Sequence, residues 1–230
     1  MPGDRRRRIL VALSAGGAGA SSARLCEASI DLVGVTGAGV MLMSGDIPRG
    51  SLCATDEVSH LIEDLQFELG EGPCVEACEL DRVVLEPDLA DPVVPRWLAF
   101  TPPAVQAGAR ALFAFPMRVG TVRLGALNLY RDRPGPLSDD QHADALVMAD
   151  VAAQWVLDVQ ATAAPETVAE ALERGADFHL ALHNAAGMVS VQLDISVTEA
   201  LIRLRAYAFA TGRLLGDVAD EVIARRLRIE

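Results

Sequence analysis

The spacing of apolar residues changes period several times along this chain, and each change marks an element. Ser21-Ser22 can cap a helix that carries Leu25, Ile30, Leu32 and Val33. Gly37–Ser44 and Gly50–Thr55 are short apolar runs separated by Gly45-Asp46-Ile47-Pro48, a hairpin pattern. Asp56–Leu69 returns to helical spacing through Val58, Leu61, Ile62, Leu65 and Leu69, and Gly70-Glu71-Gly72-Pro73 breaks it before a short helix over 74–79. A brief strand, Val83–Leu85, precedes an acidic, proline-marked loop from Glu86 to Pro95. Trp97–Ala107 reads as helix interrupted at Pro102-Pro103. Two longer strands, Ala111–Val119 and Val122–Tyr130, meet at Gly120-Thr121. This order predicts an α+β domain built on one antiparallel sheet flanked by helices.

Beyond Pro134-Gly135-Pro136 the pattern is helical throughout. Ser138-Asp139-Asp140-Gln141 is a capping box that opens a helix with Leu146, Ala149, Ala153 and Val156 on one stripe and Val147, Val151 and Trp155 beside it. Ala163-Ala164-Pro165 interrupts it, and Pro165 suits the first turn of a further helix, Glu166 to about Gln192, with Val168, Leu172, Phe178, Leu182, Ala185 and Val189. Two long helices with more apolar positions than one face needs predict a parallel homodimer seam; the alternative is that both stripes bury within one chain. A second capping box, Ser196-Val197-Thr198-Glu199, starts the next helix, whose core face is Ala200, Leu201, Leu204 and Ala208. His183–Ile223 therefore reads as a compact three-helix unit. The predicted organisation is a flexible N-terminus (1–21), an α+β domain (22–158), an all-α domain (160–223) and a basic tail (224–230).

Composition narrows the partners. The 230 residues are 51% hydrophobic and 4% aromatic, and all 20 basic residues are arginine. With no lysine anywhere, arginine reflects coding bias as readily as ligand choice. The net charge of −12 excludes a general coat for nucleic acid, so any such contact has to be local. Arg5–Arg8 followed by Ile9–Leu13 imitates a signal peptide, but the apolar run is too short for one, and no window reaches the roughly 18 apolar residues of a membrane span. A cytoplasmic chain is expected. Cysteines 26, 53, 74 and 78 contain no C-x-x-C pair, and histidines 60, 142, 179 and 183 do not cluster with them, so no structural metal site is expected. Buried reduced thiols are expected, with redox sensing as the alternative.

Two runs, LGEGPCVEAC (69–78) and FPMRVGTVRLGALNLYRDRPGPLS (115–138), resemble GAF domains of actinobacterial regulators over about 22–158. The C-terminal part resembles the ANTAR family: Asn184-Ala185-Ala186-Gly187-Met188-Val189 fits its pattern of amide, Ala, any residue, Gly and two apolar positions. Ala200, Leu204-Arg205, Ala208, Leu215 and Asp217-Val218-Ala219 follow in register. This likeness implies an RNA-binding transcription antiterminator that holds paired hairpin loops of a leader RNA as a dimer. It departs from the wider family at Ala186, a position often basic there. The GAF likeness implies a sensor for a small-molecule ligand. Cyclic-nucleotide, haem and bilin readings all lack a distinctive residue set, so no cofactor is assigned.

The implied RNA contacts are Asn184, Ala185, Gly187, Arg203, Arg205, Tyr207 and Arg213. On the helix wheel Arg203 and Tyr207 share one flank and Arg205 falls on the other; an arginine beside a tyrosine can hold a phosphate and stack an unpaired base. Arg203 has the simpler alternative of pairing with Glu199 one turn earlier, and Tyr207 of packing at the core edge. Gly187, at about 1 kcal/mol cost inside a helix, serves either close helix packing or close RNA approach. Arg225, Arg226 and Arg228 can add phosphate contacts or merely favour a helix C-terminus. No enzymatic activity is expected. The competing functions are a signalling adaptor that never touches RNA, and a methionine sulfoxide reductase using the cysteine set.

Overall fold

The computed structural model describes residues 2–14, 21–44, 47–162 and 176–229. After helices α1 (Pro2–Ser14) and α2 (Ser22–Val33) come the hairpin β1 (Gly37–Ser44) and β2 (Ile47–Ala54), then α3 (Glu57–Leu69), α4 (Pro73–Leu80) and β3 (Val84–Glu86). Helix α5 (Thr101–Gln106), the pair β4 (Ala111–Val119) and β5 (Val122–Arg131), and α6 (Asp139–Thr162) complete the first unit. The strands form one antiparallel sheet in the order β2-β1-β5-β4-β3. The expected α+β architecture is what forms.

Alternation along the strands sorts side chains to two faces. Val40, Phe113, Phe115, Met117, Leu127 and Leu129 pack against α2 and α6 on one face. Leu112, Ala114 and Tyr130 point to the other, where Ile62 of α3 and Phe100 join them. Caps set the helix limits as the sequence indicated: Ser21 accepts from the Arg24 N–H, Asp56 from the Ser59 N–H, and Ser138 and Gln141 exchange both bonds of a capping box.

Three expectations change. The N-terminal residues, expected to be flexible, form helix α1 over 2–14. It buries Ile9 and Leu13 against the α2–α6 core, and Arg5 and Arg8 both reach the buried Asp144 at 2.6 Å. It is this helix that packs along α6, so much of the apolar excess of α6 is covered within the chain. The thiols are not all free: Cys26 of α2 is bonded to Cys53 of β2, while Cys74 and Cys78 stay reduced and buried. Trp97 lies outside α5, with a positive φ of 51°, because Glu71 binds the N–H groups of Ala99 and Phe100 and holds that loop as a turn.

The C-terminal unit consists of α7 (Ala176–Leu193), α8 (Val197–Thr211) and α9 (Leu215–Ile223). The start of the expected 166–192 helix, with Val168, Leu172 and Arg174, lies outside the described residues. Leu182, Val189, Ala200, Leu204, Val218 and Val222 form its core, and Met41, Met43, Phe67 and Cys78 of the first unit join the same cluster. The three helices therefore sit on the sheet's second face and share its core. Among the described residues no single helix is long and apolar enough to cross a membrane.

Candidate functional site

The first candidate site lies under α3, on the second face of the sheet. Glu63 is fully buried and its Oε1 accepts from Asn128 Nδ2 at 2.6 Å. Asn128 sits opposite Gly39 in the β1–β5 register, and a side chain at Gly39 would meet Glu63 at 2.4 Å. Glycine there is what lets the carboxyl lie on the sheet. One turn along α3, Gln66 accepts from the Cys74 N–H at 2.6 Å. Three atoms of this cluster, Glu63 Oε2, Gln66 Nε2 and Asn128 Oδ1, are buried with no hydrogen-bond partner among the described residues. Leaving such groups unsatisfied costs about 1–3 kcal/mol each, which marks a place that a polar ligand would stabilise. The space between Gly39, Ser59, Glu63, Asn128 and Tyr130 is too narrow for a water molecule, so the site is closed.

Electrostatics keep the cluster neutral. Burial pushes the Glu63 carboxyl up to about 8, against the smaller opposing effect of the Asn128 hydrogen bond. It therefore carries its proton at neutral pH. The neighbouring Cys78 thiol, burial and Glu63 hold the Cys74 thiol well above the ordinary range. Thiolate chemistry needs the opposite environment, electropositive and partly exposed. Among the described residues no group of three or more His, Cys, Asp and Glu side chains is placed to hold a metal ion.

The second candidate site is on the C-terminal helices, and the expected RNA contacts are split across it. Asn184 and Gly187 line a groove of about 980 Å³ between α7 and the chain end, shared with Val191, Ile223, Arg225 and Arg228. Among the described residues a side chain added at Gly187 would meet nothing within 4 Å, so they do not support close helix packing, the simpler reading of this glycine. Arg225, Arg226 and Arg228 are exposed with no side-chain partner among the described residues. The tail does not trail free: Gln192 donates to the Ile229 carbonyl at 2.7 Å and Ile229 is buried.

The other expected contacts are already engaged. Ala185 is fully buried, so it packs the helices and presents no surface; this corrects its assignment as a contact. Ala186 is buried as well, in the cluster shared with the sheet, which leaves no room there for a charged side chain. Arg203 pairs with Glu199 at 3.5 Å, the simpler of its two readings, and Tyr207 packs at the core edge. Arg213 pairs with Glu221 at 3.0 Å. Arg205 faces the first unit: its Nε and Nη2 donate to the carbonyls of Glu68 and Phe67 at 3.1 and 2.7 Å. Burial pushes its guanidinium down to about 10. The polar cluster under α3 was missed in the sequence, although Asn128 inside an apolar strand run was a visible signal.

The GAF domain model matches residues 22–154, more than half of the chain. No match was found among curated proteins. Similar solved structures include the GAF domain of an Acinetobacter phosphoenolpyruvate-protein phosphotransferase, at 12% identity and TM-score 0.48, covering 70% of this chain and 96% of that one. Free methionine-R-sulfoxide reductase from Neisseria meningitidis, solved with its substrate, is 12% identical at TM-score 0.48, covering 70% and 92%. The GAF domain of a two-component sensor histidine kinase from Bacillus halodurans is 12% identical at TM-score 0.44, covering 59% and 92%. Likenesses at this level say nothing of ligand or activity. With the sheet order, the flanking helices and a family match over 22–154 in hand, the chain belongs to the GAF domain family.

Proposed function

We propose that the chain is a transcription antitermination regulator, in which the GAF domain senses a small ligand and the C-terminal three-helix unit binds hairpin loops in a leader RNA. The observation that carries the reading is the groove at Gly187. A glycine that costs helix stability and packs against nothing lies beside an exposed amide, Asn184, and two uncommitted arginines, Arg225 and Arg228. That combination admits a backbone or base close to the helix, with cations placed for its phosphates. It is also the stretch on which the ANTAR resemblance rests.

The cluster of Glu63, Gln66 and Asn128 gives the sensed ligand a chemistry. A neutral acid, an amide donor and an amide acceptor, all buried, favour a small uncharged molecule with both donors and acceptors. Cys74 and Cys78 are both buried and the Cys74 thiol is held protonated, which speaks for a sensor and against a thiol-dependent enzyme. The dimer belongs to the same proposal, since paired hairpins need two reading heads; Leu146 on α6 is still exposed to contribute to it.

Crosslinking of RNA to the full chain in cells, followed by sequencing, tests the reading. Enrichment of leader transcripts with tandem hairpins is expected. Recovery no greater than from an uncrosslinked control would leave a signalling adaptor in its place.

A further inference from the structure

Arg205 connects the two candidate sites. It lies on α8, yet its guanidinium donates to the carbonyls of Phe67 and Glu68, at the C-terminus of α3. Those carbonyls are among the last four of the helix, which have no partner within it, and a cation is favoured there by the helix dipole as well. Gly70 caps α3 in the left-handed conformation with φ 65°, and a side chain at that position would meet Arg205 Nη1 at 2.7 Å. The guanidinium therefore occupies a notch that glycine keeps open. Phe67 is fully buried in the core shared with α7–α9, so helix end and C-terminal unit pack as one surface.

The same helix carries Glu63 and Gln66, one turn and less from those carbonyls. The space that Glu63 lines is closed, so an occupant has to move α3 away from Gly39 and Asn128 on the sheet. A 13-residue helix moves as a rigid rod, and displacing it displaces its C-terminal carbonyls.

We propose that the Arg205 contact with the end of α3 is an autoinhibitory latch: it withholds Arg205 from RNA until a ligand in the cavity under α3 shifts that helix and releases it. The proposal rests on the RNA-binding reading of the C-terminal unit. It distinguishes the open groove at Gly187, ready for RNA, from the Arg205 flank, closed by the GAF domain. Ile202 and Phe209 are exposed at the rim of that flank, on a groove of about 740 Å³ that also holds Arg213. Release would add one cation beside these two exposed apolar side chains on the RNA surface.

The test uses the full chain and three substitutions, two of which keep a cation at position 205 and one of which removes it. Gly70→Asn fills the notch and keeps Arg205, since asparagine tolerates the left-handed conformation. Arg205→Ala opens the latch and removes the cation. Arg205→Lys, which cannot hold both carbonyls, checks the first variant independently. Hydrogen exchange reads the latch, and binding of a tandem-hairpin RNA, selected on the wild-type protein from a pool with randomised loops, reads the function. Amides of α8 and of residues 66–70 are expected to exchange about tenfold faster in all three variants, with β4 and β5 unchanged. RNA affinity is expected to rise about tenfold in Gly70→Asn and to fall below it in Arg205→Ala. Faster exchange with unchanged or weaker RNA binding in Gly70→Asn and Arg205→Lys would make the contact a scaffold and overturn the latch. Unchanged exchange would do the same. Faster exchange together with a pool that yields no binding RNA would fail the RNA reading first, and the latch's purpose with it.

Discussion

Replacing Glu63 by glutamine isolates the energetics of the buried cluster. The native carboxyl keeps its proton up to about pH 8, whereas the unfolded chain releases it near the ordinary glutamate value of 4.5. Between these values the unfolded state binds fewer protons than the native one, so stability falls as pH rises and levels off above about 8. At about 1.4 kcal/mol for each tenfold step, the whole span corresponds to about 5 kcal/mol, roughly three quarters of it between pH 5 and 8. Glutamine preserves the shape and the acceptor for Asn128 but never ionises. The stability of Glu63→Gln minus that of the natural protein is therefore expected to grow by about 4 kcal/mol from pH 5 to 8. Urea unfolding of both proteins at matched pH values measures it, and the subtraction cancels the other titrating groups. Parallel curves would refute the reasoning, because they would mean that Glu63 ionises normally and is not held in a dry site.

Three further outcomes follow from other parts of the molecule. Gly187→Ala is expected to raise stability by about 1 kcal/mol, since the added methyl meets nothing, while weakening binding of a selected tandem-hairpin RNA; thermal melts and titrations that move together would assign the glycine to folding alone. Reducing the bond between Cys26 and Cys53, 27 residues apart, is expected to cost about 3.5 kcal/mol by loop entropy, read as a lower Tm in a phosphine reductant and no change in a Cys26→Ser/Cys53→Ser double variant. Four titratable thiols in the unreduced, unfolded protein would rule the bond out. RNA affinity against salt is expected to give a log–log slope of about −2, the value for three phosphate contacts by Arg225, Arg226 and Arg228 on single-stranded loops; a slope near zero would remove the tail from the interface.

Helices and strands were legible wherever the period and the cap agreed. Ser21, Asp56 and Ser196 all cap where the apolar spacing begins, and the β4–β5 register follows from two apolar runs joined at Gly120-Thr121. Helix α1 was not legible, because Arg5–Arg8 and the glycines after it read as a polar, unstable start. Its stability comes from Asp144, some 139 residues away from Arg5, and from the core that buries Ile9. The loop around Trp97 escaped for the same reason: Glu71 sets it from 28 residues back. The candidate site divides in the same way. Asn184 and Gly187 were found by local pattern and do line one groove. Glu63 reads as part of a solvated helix face, and only the sheet beneath it, with Gly39 and Asn128, makes it a buried acid.

Under the proposed function, charge bookkeeping decides where control can reside in so acidic a chain. Of the arginines in the described C-terminal unit, Arg225, Arg226 and Arg228 are uncommitted, and Arg203 pairs with a carboxylate on its own helix at the surface. Such i,i+4 pairs are worth about 0.3–0.5 kcal/mol, and a phosphate can displace the carboxylate at little cost. Arg213, paired with Glu221 and solvent-accessible, falls in the same class. Arg213, Arg225, Arg226 and Arg228 make no described bond to the first unit, so a ligand bound there has no direct hold on them. Arg205 differs in kind. It is desolvated, it holds two backbone carbonyls, and the helix that supplies them also carries the unsatisfied Glu63 and Gln66. A ligand can change only an interaction that differs between two states, and among these arginines Arg205 is the one whose partners belong to the element that the proposed ligand has to move.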